Sequence, residues 1–186
     1  RLGAQAVLHD AVVLLAGLVG WLPLWLQRWL GVLGGRMTHL SNLRAARVAR
    51  RNFEMVMPGQ SSVEREALVA EILRNTGINA IETLRVWTRP RAHNLHLIRS
   101  VRGGDLLATA LAPGRGLIIA APHYVNWELL IEFMASRGPF SLIYRVPEKK
   151  FGDVFLRLAR GGDNVQLVPA ETNAMRPLFK ALQAGQ

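Results

Sequence analysis

The sequence predicts an α/β protein: an N-terminal membrane-anchoring helix and a helical region, followed by a mostly parallel sheet flanked by helices. Three observations support this prediction. An uncharged apolar run stands near the start, helix-capping signals follow it, and short apolar runs alternate with helical segments in the last third. We expect an anchoring segment at residues 1–36 and a second domain at residues 37–186. That domain divides into a helical part, 37–110, and an α/β part, 111–186.

The composition excludes several classes of protein. The 186 residues are 50% hydrophobic and 19% charged, which excludes a disordered tail. Cysteine is absent from the sequence, which excludes disulfides, thiolate nucleophiles and cysteine-based zinc sites. A formal net charge of +10 favours an anionic partner, such as nucleic acid, acidic lipid head groups or an acidic carrier protein. Because no nucleic-acid motif accompanies this charge, we expect no specific nucleic-acid partner.

The first element is the apolar run from Ala11 to Gln27, which contains no charged residue. As a helix with a rise of about 1.5 Å per residue it reaches roughly 25 Å, at the short limit for crossing a bilayer. Trp21, Trp25 and Trp29 recur every four residues, as in the aromatic belt of a membrane interface. We therefore expect a membrane anchor, either spanning or partly inserted, with a buried core helix as the alternative. The arginines that follow predict that the remainder is cytoplasmic.

Capping signals predict the helices of the next region. Ser41-Asn42 can cap a first helix, and Ser61 with Glu64 has the spacing of a capping box that opens a second one. A separate helical stretch is predicted from Ile78 to Trp87. One face of the first helix is basic and carries these residues: Arg44, Arg47 and Arg51. This face either binds phosphates, is simply solvated, or lies against a bilayer.

Short apolar runs alternate with helical segments in the last third of the chain. The predicted strands are Leu117–Ala121, Phe140–Tyr144 and Val165–Val168. The predicted helices are Asn126–Ser136, Glu148–Arg160 and Asn173–Ala184. Because strands and helices alternate at this spacing, we expect a parallel sheet covered by helices.

The most informative stretch is residues 122–128, with the sequence PHYVNWE, between a predicted strand and a helix. Open α/β sheets bind their ligands at such a place. His123 can accept a proton at neutral pH, and the Glu128 carboxylate could set its tautomer. The two side chains can meet only if His123 lies in the loop before the helix, because residues five apart in one helix are rotated by about 140°. Alternatively, His123 caps the helix and Glu128 complements its N-terminus.

Other kinds of site receive no support from the sequence. His93 and His96 have no nearby carboxylate or third ligand, so we expect no metal site. No serine lies in a Gly-x-Ser-x-Gly motif, and the phosphate-binding GxxxxGK[ST] pattern is absent. The sequence therefore supports neither a serine hydrolase nor a P-loop protein.

The motif PHYVNWE, followed by Tyr144-Arg145-Val146-Pro147, resembles the late acyltransferases of lipid A biosynthesis. These belong to the wider lysophospholipid and glycerolipid acyltransferase group, whose signature is His-x4-Asp/Glu. The apolar N-terminal run, Asn52-Phe53 after the arginine-rich segment, and the stretch from Glu82 to Trp87 agree with this resemblance. It covers most of the chain.

The resemblance implies a glycerolipid-acyltransferase-like fold and an O-acyltransferase at the bacterial inner (cytoplasmic) membrane. Such an enzyme moves a fatty acyl chain from an acyl carrier protein thioester to a hydroxyl of a phosphorylated glycolipid, the lipid A precursor. His123 would be the general base and Glu128 its orienting carboxylate. Asn126 would shape the turn or the oxyanion region, and Arg145 and Arg176 would bind substrate. No cofactor or metal is implied, because the acyl thioester is a co-substrate.

This sequence departs from the family pattern at two places. Val125 stands where many members have a small residue. Members continue past Gln186 with another strand and a Pro-Asp-Gln-type segment beside the active site, so we expect a C-terminally truncated chain with an incomplete site. The alternatives are an acyltransferase for another glycolipid, such as phosphatidylinositol mannoside, and an inactive truncated membrane-anchored homologue.

Overall fold

A computed structural model describes the following residues: 2–111, 114, 116–122, 126–147, 156, 159–162, 164–171 and 173–185, with side chains from residue 12 onwards. The chain forms two compact units, residues 1–88 and residues 89–186. The described helices of the first unit are α1 (Leu2–Trp21), α2 (Leu24–Leu40), α3 (Arg44–Val56) and α4 (Ser62–Thr88). The long helix α4 packs against the other three, so it organises this unit.

The apolar N-terminal run does not form one continuous helix, because it is interrupted at Pro23, between α1 and α2. Proline lacks an N–H group and its ring obstructs the preceding turn. The buried Gln27 closes the break: its Nε2 donates to the carbonyl oxygens of Val19, at 2.8 Å, and Gly20, at 2.9 Å. These carbonyl groups belong to the last turn of α1, and that of Val19 also accepts from the Leu22 N–H at 3.2 Å. Within the described ranges, none of the helices has both the length and the apolar character needed to cross a bilayer.

The capping box at the start of α4 is confirmed. The Ser61 N–H donates to Glu64 Oε2 at 2.8 Å, and the Glu64 N–H donates to Ser61 Oγ at 3.2 Å. The predicted cap of α3 is wrong: its N-cap is Leu43, which makes no side-chain capping bond. The Asn42 Oδ1 instead accepts a hydrogen bond from Arg50. The side chain that was predicted to cap α3 is therefore used in a tertiary contact.

Helix α4 runs unbroken through Gly77, although the sequence predicted two separate helices there. Glycine inside a helix costs about 1 kcal/mol relative to alanine, but it allows two backbones to approach closely. A Cβ on Gly31 would lie 2.5 Å from the Ile78 Cα, and a Cβ on Gly35 would lie 2.7 Å from the Arg74 Cα. The crossing of α2 and α4 therefore requires glycine.

An ion-pair network joins α2, α3 and α4. The carboxylate of Glu66 accepts hydrogen bonds from Arg50 Nη2 at 2.6 Å and Nε at 2.8 Å, and His39 Nε2 lies 2.7 Å from its Oε1. The hydrogen bonds from Arg50, with a smaller contribution from His39, lower the pKa of Glu66 to about 2. The two parallel bonds from Arg50 fix the orientation of α3 on α4.

The second unit is an α/β unit. Its described elements are α5 (Arg91–Leu95), α6 (Gly104–Leu111), α7 (Trp127–Ala135), β1 (Phe140–Tyr144), β2 (Val165–Pro169) and α8 (Met175–Gln183). The predictions of the strands that form β1 and β2, and of the helices that form α7 and α8, are confirmed. Of the helix predicted over Glu148–Arg160, residues 156, 159 and 160 are described and are helical, while the remainder lies outside the described residues.

The predicted parallel pairing is confirmed for β1 and β2, with Phe140 opposite Val165. Asn164 joins the start of the ladder to the end of α7. Its Nδ2 donates to the carbonyl oxygen of Ala135 at 3.0 Å, and its own carbonyl accepts from the Phe140 N–H at 2.9 Å. Helix α7 is thereby fixed at its C-terminal end to the first residues of both strands.

The strand predicted over Leu117–Ala121 is wrong. These residues pair with neither β1 nor β2, and Ile118 is 80% exposed. An apolar run forms a strand only where a neighbour satisfies its backbone hydrogen bonds. In the described part of the chain the sheet consists of β1 and β2, so the backbone groups of Leu117–Ala121 have no strand partner there.

The glycine crossing predicts opposite effects for two neighbouring substitutions in α2. Gly31→Ala places a methyl group against the α4 backbone, so we expect the free energy of unfolding to fall by about 1–3 kcal/mol. Gly34→Ala is the control, because a Cβ there meets nothing within 4 Å. Gly34→Ala should raise the free energy of unfolding by roughly 0.5–1 kcal/mol, because alanine has a higher helix propensity than glycine. Urea denaturation followed by circular dichroism measures both, and effects of the same sign would contradict the close crossing.

The Glu66 network predicts a specific pH dependence of stability. The folded-state pKa of Glu66 is about 2 and its ordinary value is 4.5, so the network stabilises the fold above the ordinary value. This stability is lost as the pH falls from 4.5 towards 2. We expect Glu66→Gln to reduce the slope of the urea midpoint against pH in that window. The exposed variant Glu71→Gln should retain the parent slope, and equal slopes in all three proteins would exclude this role.

Candidate functional site

Glu128 lies in the first turn of α7, in the motif that the sequence singled out. The partial positive charge of a helix N-terminus favours a carboxylate at this place. Only 3% of Glu128 is exposed. A carboxylate with so little access to water needs a cationic or hydrogen-bonding partner close by, because its desolvation is costly.

Arg160 is a cationic partner of this carboxylate. Its Nη2 donates to Glu128 Oε1 at 2.5 Å, and its Nε donates to Oε2 at 3.0 Å. The guanidinium also lies over the ring of Trp127, 4.3 Å from the ring centre. With side-chain exposures of 10% for Arg160 and 4% for Glu128, the pair is nearly removed from solvent. Two parallel hydrogen bonds therefore fix the plane of the carboxylate.

Arg160, which is 32 residues from Glu128, was not among the predicted site residues. The physical signal was nonetheless present. A carboxylate predicted among apolar side chains in the first turn of a buried helix needs a cation, and Arg160 ends the helical segment predicted before β2. Which cation supplies the charge depends on how these two segments pack, and that is a tertiary property.

A second ion pair holds the same helix one turn further on. Arg91 Nε, in α5, donates to Glu132 Oε2 at 3.0 Å, and both side chains are mostly buried. Glu132 follows Glu128 by four residues, so both carboxylates are near the same face of α7. Helix α7 is thus fixed by ion pairs from two separate segments of the second unit.

His123, the predicted general base, lies outside the described residues, and so does Val125. The contact between His123 and Glu128 therefore stays a prediction. Asn126, a further polar residue of the motif, is the N-cap of α7 but makes no side-chain capping bond to the described residues of the helix. Its Oδ1 is buried and has no hydrogen-bond partner among the residues that the structure describes. A buried amide oxygen of this kind can accept a hydrogen bond from an N–H or O–H group of a ligand.

Arg145 and Arg176 follow the two strands of the sheet. Arg145 comes directly after β1, and Arg176 lies in the first turn of α8, which follows β2. Because the strands are parallel, their carboxyl ends lie at one edge of the sheet, where α/β proteins bind ligands. Both arginines are exposed, and neither is shown in contact with Glu128 or Asn126. Their predicted role in substrate binding stays a prediction.

This arrangement suits a supporting role in proton transfer. A buried carboxylate held in one orientation can accept a hydrogen bond from an imidazole N–H and stabilise the imidazolium that forms when the ring takes a proton. Arg160 sets the position of that carboxylate. Within the described ranges, no group of three or more His, Asp or Glu side chains is placed to hold a metal ion.

Comparison with known proteins gives consistent matches. The family model described as bacterial lipid A biosynthesis acyltransferase matches residues 5–186. The lipid A biosynthesis palmitoleoyltransferase of Escherichia coli (strain K12) is 28% identical over 174 residues, which cover 90% of this chain and 56% of that protein. The lipid A biosynthesis lauroyltransferase of the same strain is 24% identical over 143 residues, covering 77% and 46% respectively. The chain thus spans about half the length of the curated relatives it matches.

The buried pair predicts a large effect of removing its cation. Arg160→Met leaves Glu128 without the guanidinium, so we expect the free energy of unfolding to fall by roughly 3–5 kcal/mol. Adding Glu128→Leu should recover most of this loss, because the uncompensated charge is removed as well. Urea denaturation provides the measurement.

Arg137→Met is the matched control for this prediction. Arg137 also lies over an aromatic ring of α7, 4.9 Å from the centre of Phe133, but it is exposed. Its substitution should cost less than about 1 kcal/mol. If Arg160→Met costs no more than Arg137→Met, the ion pair does not stabilise the second unit.

Proposed function

Because the chain belongs to the family of bacterial lipid A biosynthesis acyltransferases, we propose that it carries the acyl-transfer site of an enzyme that acylates a phosphorylated glycolipid. The observation that carries the proposal is the buried Glu128 carboxylate, held by Arg160 at the end of a His-x4-Glu motif. A carboxylate fixed in this way fits the orienting partner of a general base.

In the proposed reaction, His123 accepts the proton of an acceptor hydroxyl as the hydroxyl oxygen attacks the carbonyl carbon of an acyl thioester. The new C–O bond forms, the C–S bond breaks, and the imidazolium returns the proton to the departing thiolate. Glu128 orients the imidazole and stabilises the imidazolium, while Arg160 positions Glu128. Transfer is direct and forms no acyl-enzyme.

We propose acyl carrier protein as the thioester donor and the lipid A precursor as the acceptor. Relatives named lipid A biosynthesis palmitoleoyltransferase and lauroyltransferase support the acceptor. The net charge of +10 supports both partners, because an acidic carrier and a phosphorylated lipid are anionic. Arg145 and Arg176 are exposed cations at the carboxyl ends of β1 and β2 and suit a phosphate. The Oδ1 of Asn126, which has no hydrogen-bond partner within the described ranges, suits a donor group of the substrate.

We also propose that the first unit lies on the bacterial inner membrane through α1 and α2. Large apolar side chains on these helices are exposed, including Leu14, Leu18, Trp21, Trp25, Trp29 and Leu33. An exposed apolar surface of this extent is typical of a partner or membrane contact, and tryptophan favours the bilayer interface. The arginines that follow support a cytoplasmic position for the catalytic part.

The test is an acyl-transfer assay in a protein of the relatives' full length that carries this sequence, with acyl carrier protein thioester and lipid A precursor. We expect His123→Ala to lower the rate about 10²- to 10⁴-fold, because general base catalysis supplies that factor. The control is His93→Ala, which changes an exposed histidine in α5 and should retain the parent rate within a few-fold.

Activity of His123→Ala within a few-fold of the parent would remove His123 from the proposed role. A parent protein that binds the glycolipid but transfers no acyl group would favour an inactive homologue. Transfer to a different glycolipid, such as phosphatidylinositol mannoside, would retain the chemistry and change the acceptor.

A further inference from the structure

A pocket on the first unit contains arginines that the proposed acyl transfer does not use. It has a volume of about 580 Å³ and is lined by Asn42, Arg47, Arg50, Arg51 and Glu54. All of these belong to α3 or to the loop before it. We infer that this pocket, here called the α3 pocket, binds the phosphate of an anionic lipid head group.

The α3 pocket is organised before a ligand arrives. Arg50 is held by two hydrogen bonds to Glu66, and its third group, Nη1, donates to Asn42 Oδ1. Arg47 Nη1 donates to the carbonyl oxygen of the same Asn42 at 2.6 Å. With a φ of 46°, Asn42 is in the left-handed region, where its two oxygens meet two different arginines. Two guanidinium groups are therefore already oriented, which lowers the entropic cost of binding.

The charge of the α3 pocket is unbalanced. Glu66 compensates Arg50, and Glu54 lies 3.3 Å from Arg51 in an exposed pair that contributes little. In the part of the chain that the structure describes, no carboxylate pairs with Arg47, nor with Arg44 on the same exposed face. Their remaining N–H groups are available to a ligand. The planar fork of a guanidinium matches two oxygens of a phosphate. A phosphate therefore suits this excess of positive charge better than a single carboxylate does.

Apolar side chains beside the arginines favour a lipid as the source of that phosphate. Val48 and Met55 follow Arg44 and Arg51 by four residues, so each lies next to an arginine on the surface of α3. Val48 is 49% exposed and Met55 is 60% exposed. A helix that presents arginines beside exposed apolar side chains has the chemistry of a bilayer interface, where cations meet phosphates and apolar groups meet acyl chains.

Two lipids could supply this phosphate, and they share the same recognition chemistry. One is an anionic phospholipid of the bilayer, and the other is a phosphorylated glycolipid. In the second case the inference rests on the proposed function, because the glycolipid is then the acceptor. Binding is measured without an acyl donor, so a failure of binding and a failure of acyl transfer are separate results.

The experiment is vesicle co-sedimentation of the full chain. The vesicles contain phosphatidylcholine alone, phosphatidylcholine with phosphatidylglycerol, or phosphatidylcholine with lipid A, a phosphorylated glucosamine lipid. We expect Arg47→Gln/Arg51→Gln to lower the affinity for vesicles with an anionic lipid about tenfold or more. Its binding to phosphatidylcholine alone should equal that of the parent. Arg44→Gln, at an exposed position with no described contact, should give a smaller loss of the same kind.

The matched control is Arg99→Gln/Arg102→Gln, which removes the same charge from exposed positions of the second unit. It should retain the affinity of the parent within about threefold, since net charge alone has a weak effect at physiological salt. If the α3 variants lose affinity for both kinds of anionic vesicle, the α3 pocket binds anionic phospholipid in general. If they lose affinity for lipid A vesicles alone, it binds the glycolipid. An equal loss of affinity in the control, or no loss of affinity in any α3 variant, would overturn the inference.

Discussion

Removing the Glu128 carboxylate from water is the constraint on which the second unit depends. A buried carboxylate without compensation would cost several kcal/mol, so the segment that carries Arg160 has to lie against the first turn of α7. The ring of Trp127 then covers the guanidinium, and Arg91 holds the next turn of the same helix through Glu132. The ion pair that meets this electrostatic requirement also orients the Glu128 carboxylate, so the stability of the unit and the proposed chemistry depend on one contact.

The first unit is stabilised by glycine contacts and an ion-pair network, and two of its surfaces are exposed. Glycines allow α2 and α4 to cross with their backbones in contact, and Glu66 fixes α3 through Arg50. The small apolar core around Val69 uses one side of α3, so the arginines of the other side remain exposed. The tryptophans of α1 and α2 also remain exposed. An apolar face and a basic face on one unit both fit a membrane that contains anionic lipids.

Several elements could be predicted because their causes are local. The capping box of Ser61 and Glu64 needs only two side chains one turn apart, and β1 and β2 are short apolar runs between turn signals. The predictions failed where the cause was a distant contact. Gly77 continues α4 because α2 lies against it, and Leu117–Ala121 forms no strand because it lies beside neither described strand.

The amino-acid sequence alone determined the motif, its place at the start of a helix and the family, because these depend on the order of residues. It placed Glu128 in that motif, but it could not identify the cation beside it. Thirty-two residues separate Glu128 from Arg160, and several arginines could have met the same requirement. Packing of the second unit decided which one does, because a buried charge is compensated by the group that the fold brings within hydrogen-bonding distance.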